Sequence, residues 1–213
     1  MRTRRRAATL PVSFFDRPAD VVARELLGAL VVSRLGGVRT SARIVETEAY
    51  LGYRDPASHG YLHRRNDRNA ALFGPPGSWY VYLSYGIHWC ANLVCEGEGT
   101  ASAVLLRALE PVEGVAVMRE RRGRVDDREL CSGPGKLCQA LAITRDLDGS
   151  MMARSHVVVR PPAVALPFDV LATPRIGITK AADWPLRFVV HGNPHVSGKR
   201  GGVAAGRWGR SLT

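Results

Sequence analysis

The chain has no apolar run long enough to cross a bilayer, no two cysteines at C-x-x-C spacing, and few acidic side chains for its 213 residues. The first lack excludes a helical membrane span. The basic start, Arg2 and Arg4 to Arg6, leads into residues through Pro11 and Asp16 with no sustained apolar core, so no signal peptide is expected. A cytoplasmic location at the nucleoid of a bacterial cell is the expectation. Cys90, Cys95, Cys131 and Cys138 are separated by four, thirty-five and six residues, which offers no zinc spacing. Buried thiols in a reducing compartment are expected instead. Internal repeats are absent as well, which removes solenoid architectures.

The scarcity of acids matters most. Lys and Arg number 30 against 19 Asp and Glu, a net charge of +11. Such an excess favours a polyanionic partner through phosphate neutralisation and counterion release. Charge that only keeps a protein soluble gives the same number, so it does not identify nucleic acid by itself. No basic amphipathic helix with a clean apolar face is visible, which disfavours a membrane surface.

The length suits one domain. Residues 1–10 read as a basic flexible tail, 11–198 as the domain, and 199–213 as a basic Gly/Arg-rich tail. Asp16-Arg17-Pro18-Ala19-Asp20 reads as a helix start, with Val21, Val22, Leu26 and Leu27 at helical spacing and Gly28 as the stop. Leu30 to Leu35 and Thr40 to Tyr50 read as strands joined through Gly36-Gly37. Residues 51–76 form a long polar, basic loop holding His59, Arg64, Arg65, Arg68 and Asn69. Trp79 to Ser84 and Ile87 to Val94 make a hairpin with a Tyr85-Gly86 bend. Ala101 to Leu109 is an apolar, central strand. Glu110-Pro111 reads as a helix opening, followed by an exposed arginine run, Arg119 to Arg124. Ser132-Gly133-Pro134-Gly135-Lys136 feeds another helix. That turn lacks P-loop spacing but can offer backbone N–H groups and the Lys136 charge to a phosphate. Val157 to Val159, Arg175 to Ile178 and Leu186 to Val190 read as short strands. Strands and helices mix without βαβ alternation. The expected class is α+β, with a mainly antiparallel curved sheet, flanking helices and a protruding β-hairpin.

Glu46 and Glu48 lie two apart on a strand, so both face one way with Tyr50 beside them. Carboxylates on a buried sheet face are costly unless paired or working. From periodicity alone, both can be ion-paired structural acids, or one can be structural and the other a general base, in either order. Tyr80 and Tyr82 share a face of the next strand, where tyrosines either fill core or sandwich a flat base. Tyr85 sits at a hairpin tip, a position that suits a wedge between base pairs or a ring folded back on its sheet.

These residues resemble the alkyladenine (3-methyladenine) DNA glycosylase family of the vertebrate and bacterial type. The resemblance spans about Ala23 to Ser197. It is carried by Arg43-Ile44-Val45-Glu46-Thr47-Glu48-Ala49-Tyr50, Ala57-Ser58-His59, Arg68-Asn69 and the hairpin from Tyr80 to Asn92. Further blocks are Leu105-Leu106-Arg107-Ala108-Leu109-Glu110-Pro111, Ser132-Gly133-Pro134-Gly135-Lys136-Leu137 and Arg175-Ile176-Gly177. It implies that Glu48 activates water, with Arg107 and the Ile176 carbonyl helping to place it. It implies a base pocket of Tyr50, His59 and Tyr82, with Asn92 crowding the amino group of normal guanine. Tyr85 matches the intercalating wedge, Ile87 follows it, and Arg68 and Lys136 are expected at DNA. The family binds no metal and needs no cofactor.

The resemblance implies hydrolysis of the N-glycosidic bond of 3-methyladenine, 7-methylguanine, hypoxanthine or ethenoadenine in duplex DNA. The steps implied are base flipping and general-base activation of water by a monomer, initiating base excision repair. The competing class is a non-catalytic binder of distorted DNA or structured RNA, which explains the charge and aromatics but not the paired carboxylates. Thiol nucleophilic chemistry has little support.

Overall fold

Strand β2 (Thr40–Leu51) is the axis of the molecule, because among the described strands it alone pairs with three others. The computed structural model describes residues 8–123, 125–162 and 167–198. The expected tails therefore lie outside the described residues, apart from 8–10. Within those, Leu10 is buried and its N–H donates to the Val159 carbonyl at 2.9 Å.

Along one edge β2 pairs with β5 (Ser102–Glu113). Along the other it pairs first with β1 (Leu30–Ser33) and then, from Glu46 to Glu48, with β8 (Arg187–Val190). The hairpin β3 (Trp79–Ser84) and β4 (His88–Cys95) extends the sheet beyond β5, and β6 (Val157–Arg160) closes the far side against β1. β7 (Val170–Thr173) pairs with β8. Every pairing is antiparallel, so the fold is α+β with a mainly antiparallel sheet, as expected.

Period-two alternation sorts the central strands into two faces. Trp79, Val81, Ala91, Leu93, Val104, Leu106, Val45 and Ala49 enter the main core. Helices α1 (Val12–Phe15), α2 (Ala19–Glu25) and α4 (Pro134–Ala140) cover it, and the Thr47 hydroxyl donates to the Ala23 carbonyl at 2.8 Å. The opposite face carries Glu46, Glu48, Tyr50, Tyr80, Tyr82, Asn92 and Arg107. Only a small second cluster, including Leu72, Phe73 and Val94, packs there. Apolar residues thus hold the sheet from one side and leave its other side for polar groups.

Three expectations are corrected. Glu110-Pro111 does not open a helix: β5 runs on to Glu113, and α3 (Val115–Arg122) begins after Gly114. Glu110 faces Arg43 across the ladder at 3.6 Å, and Pro111, without an N–H, sits at a register shift beside Ser41 and Ala42. Residues 175–178 are irregular, and the strand lies just before them, at β7. Pro174 ends it, and Arg175 leaves the ladder for a buried carboxylate. The arginine run is not uniformly exposed. Arg121 donates to the carbonyls of Ala140 and Leu35, Arg122 donates to Leu130, and Arg119 forms a bidentate pair with Asp127. Arg124 lies outside the described residues.

Gly52 turns the chain out of β2 at φ +63°, and a Cβ there would stand 2.1 Å from the Thr100 carbonyl oxygen. Gly52→Ala is therefore expected to destabilise by more than ~1 kcal/mol, read as a lower urea midpoint at unchanged slope. A midpoint equal to wild type would show that the turn tolerates a side chain.

Candidate active site

Antiparallel register assembles the site. Glu48 on β2 pairs with Leu105 on β5, Leu105 with Asn92 on β4, and Asn92 with Tyr80 on β3. Four strands spaced about 4.8 Å apart thus carry an acid, an apolar floor, an amide and an aromatic ring in one row. Above this row lies a cavity of about 460 Å³. Its walls include Glu48, Tyr50, His59, Tyr82, Asn92 and Arg107, with Ile176 at the rim. Its volume is that of a small-molecule pocket, on the order of 300–1,000 Å³.

The two acids differ in their partners. Both are fully buried. The Glu46 carboxylate accepts from Arg107 Nε at 2.9 Å, Arg187 Nε at 2.6 Å, Ser197 N at 2.6 Å and Ser197 Oγ at 2.9 Å. It is saturated. Glu48 Oε1 accepts from the Ile176 amide at 2.8 Å and lies 3.4 Å from Arg107 Nε. Its Oε2 accepts only from the Tyr50 hydroxyl, at 3.0 Å. Burial pushes the Glu48 carboxyl above the usual carboxylate value, while the Arg107 charge, the Ile176 amide and the Tyr50 hydroxyl oppose the rise. The geometry therefore separates what periodicity left open: Glu46 is an anchor, and Glu48 keeps an oxygen with room for another donor at the cavity wall. Ile176 meets Glu48 through its N–H, a contact that the sequence did not reveal.

Tyr80 and Tyr82 stack at 5.3 Å between centroids with 27° between planes. His59 stands edge-on to Tyr82 at 4.6 Å, and its Nδ1 is 2.7 Å from the Tyr80 hydroxyl. Burial, aided by the Arg68 charge, lowers the His59 pKa and favours the neutral ring. Burial raises all three tyrosines, Tyr50, Tyr80 and Tyr82, so each remains a phenol at neutral pH. Asn92 Nδ2 donates to the Tyr80 carbonyl at 3.0 Å, which fixes the amide in the floor.

Sequence reasoning missed the clamp behind Tyr50. The Arg175 guanidinium lies 4.7 Å from the Tyr50 ring centroid. It grips buried Asp55 through both terminal nitrogens, with Nη2 at 2.9 Å from Oδ1, and donates to the Ala49 carbonyl at 3.0 Å. Asp55 also accepts from the amides of Leu51 and Ala57. One ion pair thus fixes the Tyr50 ring, the 57–59 wall and, through the next residue, the amide that holds Glu48. Arg175-Ile176-Gly177 was legible only as a motif block; Asp55 gave no signal.

The hairpin tip projects. Tyr85 is 88% exposed and Ile87 71%. The Ile87 N–H donates to the Ser84 carbonyl, and both central residues, Tyr85 and Gly86, have positive φ, at 50° and 72°. This is the φ pattern of a tight hairpin turn whose twist matches the strands. The ring is not folded back. Arg68 is exposed and borders a second groove beside the hairpin with Tyr85. Lys136 reaches Ser132 Oγ at 3.3 Å and Glu129 at 3.6 Å. The glycine turn before it serves close packing: a Cβ at Gly135 would stand 2.9 Å from the His88 side chain.

With this geometry in place, the likeness to known proteins is specific. A model of the methylpurine-DNA glycosylase family matches residues 13–194. A protein of Methanoculleus marisnigri is 50% identical over 192 residues, covering 89% of this chain and 98% of its own. One of Rhodopseudomonas palustris is 53% identical over 190 residues, covering 86% and 88%. One of Agrobacterium fabrum is 49% identical over 191 residues, covering 89% and 93%. Each bears the provisional name 3-methyladenine DNA glycosylase.

Glu46→Ala would leave Arg107 and Arg187 buried without their shared carboxylate. Breaking such a cluster from one side costs roughly 3–5 kcal/mol, so this variant should melt far below wild type. A melting temperature within a few degrees of wild type would contradict the anchoring role.

Proposed function

The chain belongs to the methylpurine-DNA glycosylase family, and from that membership we propose that it excises damaged purines from duplex DNA by water activated at Glu48. It is a DNA glycosylase, with DNA as its substrate. The observation that carries the finer reading is the Glu48 carboxylate, held by Ile176, Tyr50 and Arg107 on the wall of a tyrosine-lined cavity. A binder without chemistry would have no use for it, since a buried carboxylate is costly and repels phosphate.

The damaged nucleotide is everted into the cavity while Tyr85 fills the space it leaves. Extrusion costs a few kcal/mol, and less at a weakened pair, so lesions are favoured before any pocket contact forms. The base stacks against Tyr50 and Tyr82, with His59 at its edge. Glu48 takes a proton from water as the water oxygen bonds to the sugar C1′ and the C1′–N bond breaks. The bonding electrons leave with the base. The carboxylate also stabilises the positive charge that develops on the sugar. A cationic base such as 3-methyladenine or 7-methylguanine departs neutral; hypoxanthine and ethenoadenine depart neutral by taking up a proton from solvent. Arg107 fixes the orientation of Glu48, and the Ile176 carbonyl is suited to accept from the same water. Arg68, Lys136 and Ile87 are assigned to the DNA surface. Residues 11–198 act as one catalytic unit, as a monomer, on the cell's own cytoplasmic DNA.

The raised Glu48 carboxyl suits this work, because a general base is most effective when its pKa lies near the operating pH. For a cationic lesion the rate should fall as pH drops through a value above the ordinary carboxylate range of about 4.3. Glu48→Gln should bind lesion duplex and release base about 10²–10⁴ times more slowly. The folded carboxyl holds its proton more tightly than the unfolded one, so ionising it at neutral pH costs stability that a neutral amide does not. The Gln variant should therefore melt no lower than wild type at pH 7. Abasic-site formation near the wild-type rate would remove Glu48 from the role of base. Asn92→Ser should admit undamaged guanine, visible as guanine release from normal duplex; discrimination equal to wild type would remove the gatekeeping role.

A further inference from the structure

Two properties rarely coincide in one residue: a large apolar side chain left exposed, and a backbone held in the left-handed region. Leu62 and Tyr85 are the residues with both among those described. Tyr85 is already assigned to the wedge. Leu62 is 58% exposed at φ 54°, and the next residue, His63, is also left-handed at φ 56°. Consecutive non-glycine residues in that region are strained, and exposure of the leucine returns nothing to folding.

The tip is nonetheless firmly built. The His63 N–H donates to the Gly60 carbonyl, and the His63 ring stacks on Tyr53 at 4.5 Å. The buried Asn69 amide donates to the carbonyls of His59 and Arg64 and accepts from the Asn66 N–H, which ties the loop across its neck. Leu62 therefore projects from a braced loop, with Arg64 and Arg65 directly after it. Neither makes an ion pair with a carboxylate among the described residues, and residues 59–69 carry one acid, Asp67, against Arg64, Arg65 and Arg68. Leu62 is three residues beyond His59, so their Cα atoms are at most about 11 Å apart. His59 and Tyr85 line the same cavity. A second strained, exposed apolar side chain thus stands three residues along the chain from a wall of the cavity that Tyr85 also lines.

We propose that Leu62 is a second apolar probe, which enters the minor groove beside the everted nucleotide while Arg64 and Arg65 hold the adjoining phosphates. The inference rests on the DNA-glycosylase reading and extends it: Tyr85 replaces the lost base, and Leu62 grips the duplex at a separate point. Apolar contacts of this type hold bent or unstacked steps open, and guanidinium groups beside them neutralise backbone charge.

The test uses the full chain and a short duplex carrying one hypoxanthine. Affinity is read by fluorescence anisotropy and base release by alkali cleavage. Leu62→Ala should weaken duplex binding about tenfold, Leu62→Asp more, and Leu62→Met hardly at all. Leu62→Gly relieves the backbone, so it should melt at or above the wild-type temperature while binding as poorly as the Ala variant. Arg64→Ala with Arg65→Ala should flatten the salt dependence of binding, since fewer counterions are released. Ala and Asp variants that bind within about twofold of wild type would overturn the probe. The two readings fail separately. A wild-type protein that binds in a Leu62-dependent way without releasing base would sink the glycosylase chemistry and keep the probe. One that releases base, with unchanged Leu62 variants, would do the reverse.

Discussion

Everything at the site depends on how one guanidinium divides itself between two carboxylates. Arg107 Nε stands 2.9 Å from Glu46 and 3.4 Å from Glu48. It reaches both because the ladder between β2 and β5 is irregular there, with register shifts on either side of Glu46. A bulge re-aims a side chain in this way. Arg187 and Ser197 then take up what remains of Glu46, so the closer pair becomes a fixed post. Glu48 has only the Tyr50 hydroxyl on its other oxygen, and burial keeps its proton affinity elevated against the pull of Arg107. Two identical side chains, two positions apart on one strand, acquire opposite characters from their partners alone.

A second constraint works at a distance. The Asp55–Arg175 pair is completely buried, and such pairs are seldom kept for stability, since apolar replacements of equal volume often fold as well or better. Its position accounts for it: the guanidinium backs Tyr50, the carboxylate holds the amides of Leu51 and Ala57, and the neighbouring amide holds Glu48. Rigid support behind a platform of aromatic rings keeps ring orientation from drifting.

Much of this is legible in the amino-acid sequence. The hairpin is, because the aromatic-rich run from Trp79 to Ser84 leads into a Tyr-Gly bend. The shared face of Glu46, Glu48 and Tyr50 followed from period two. The order of the two acids did not, because it depends on Arg187 and Ser197, which are 141 and 151 residues from Glu46 in sequence. Asp55 and Arg175 are separated by 120 residues, so no local pattern joins them. The helix expected at Glu110-Pro111 failed because an acid followed by proline also suits a strand that bears a cross-strand arginine at an irregular pair. The strand expected at 175–178 failed because Arg175 is held by a tertiary partner stronger than any local preference.

The change of partner along β2 has a dynamic consequence. Its backbone is flanked by β5 on one edge and by β1, then β8, on the other, so the amides beneath Glu48 are covered from both sides. Hydrogen exchange there requires the sheet itself to open, whereas the Tyr85 turn exchanges by local fraying. Glu48 is thus expected to ride on a slowly exchanging segment and Tyr85 on a rapidly exchanging one.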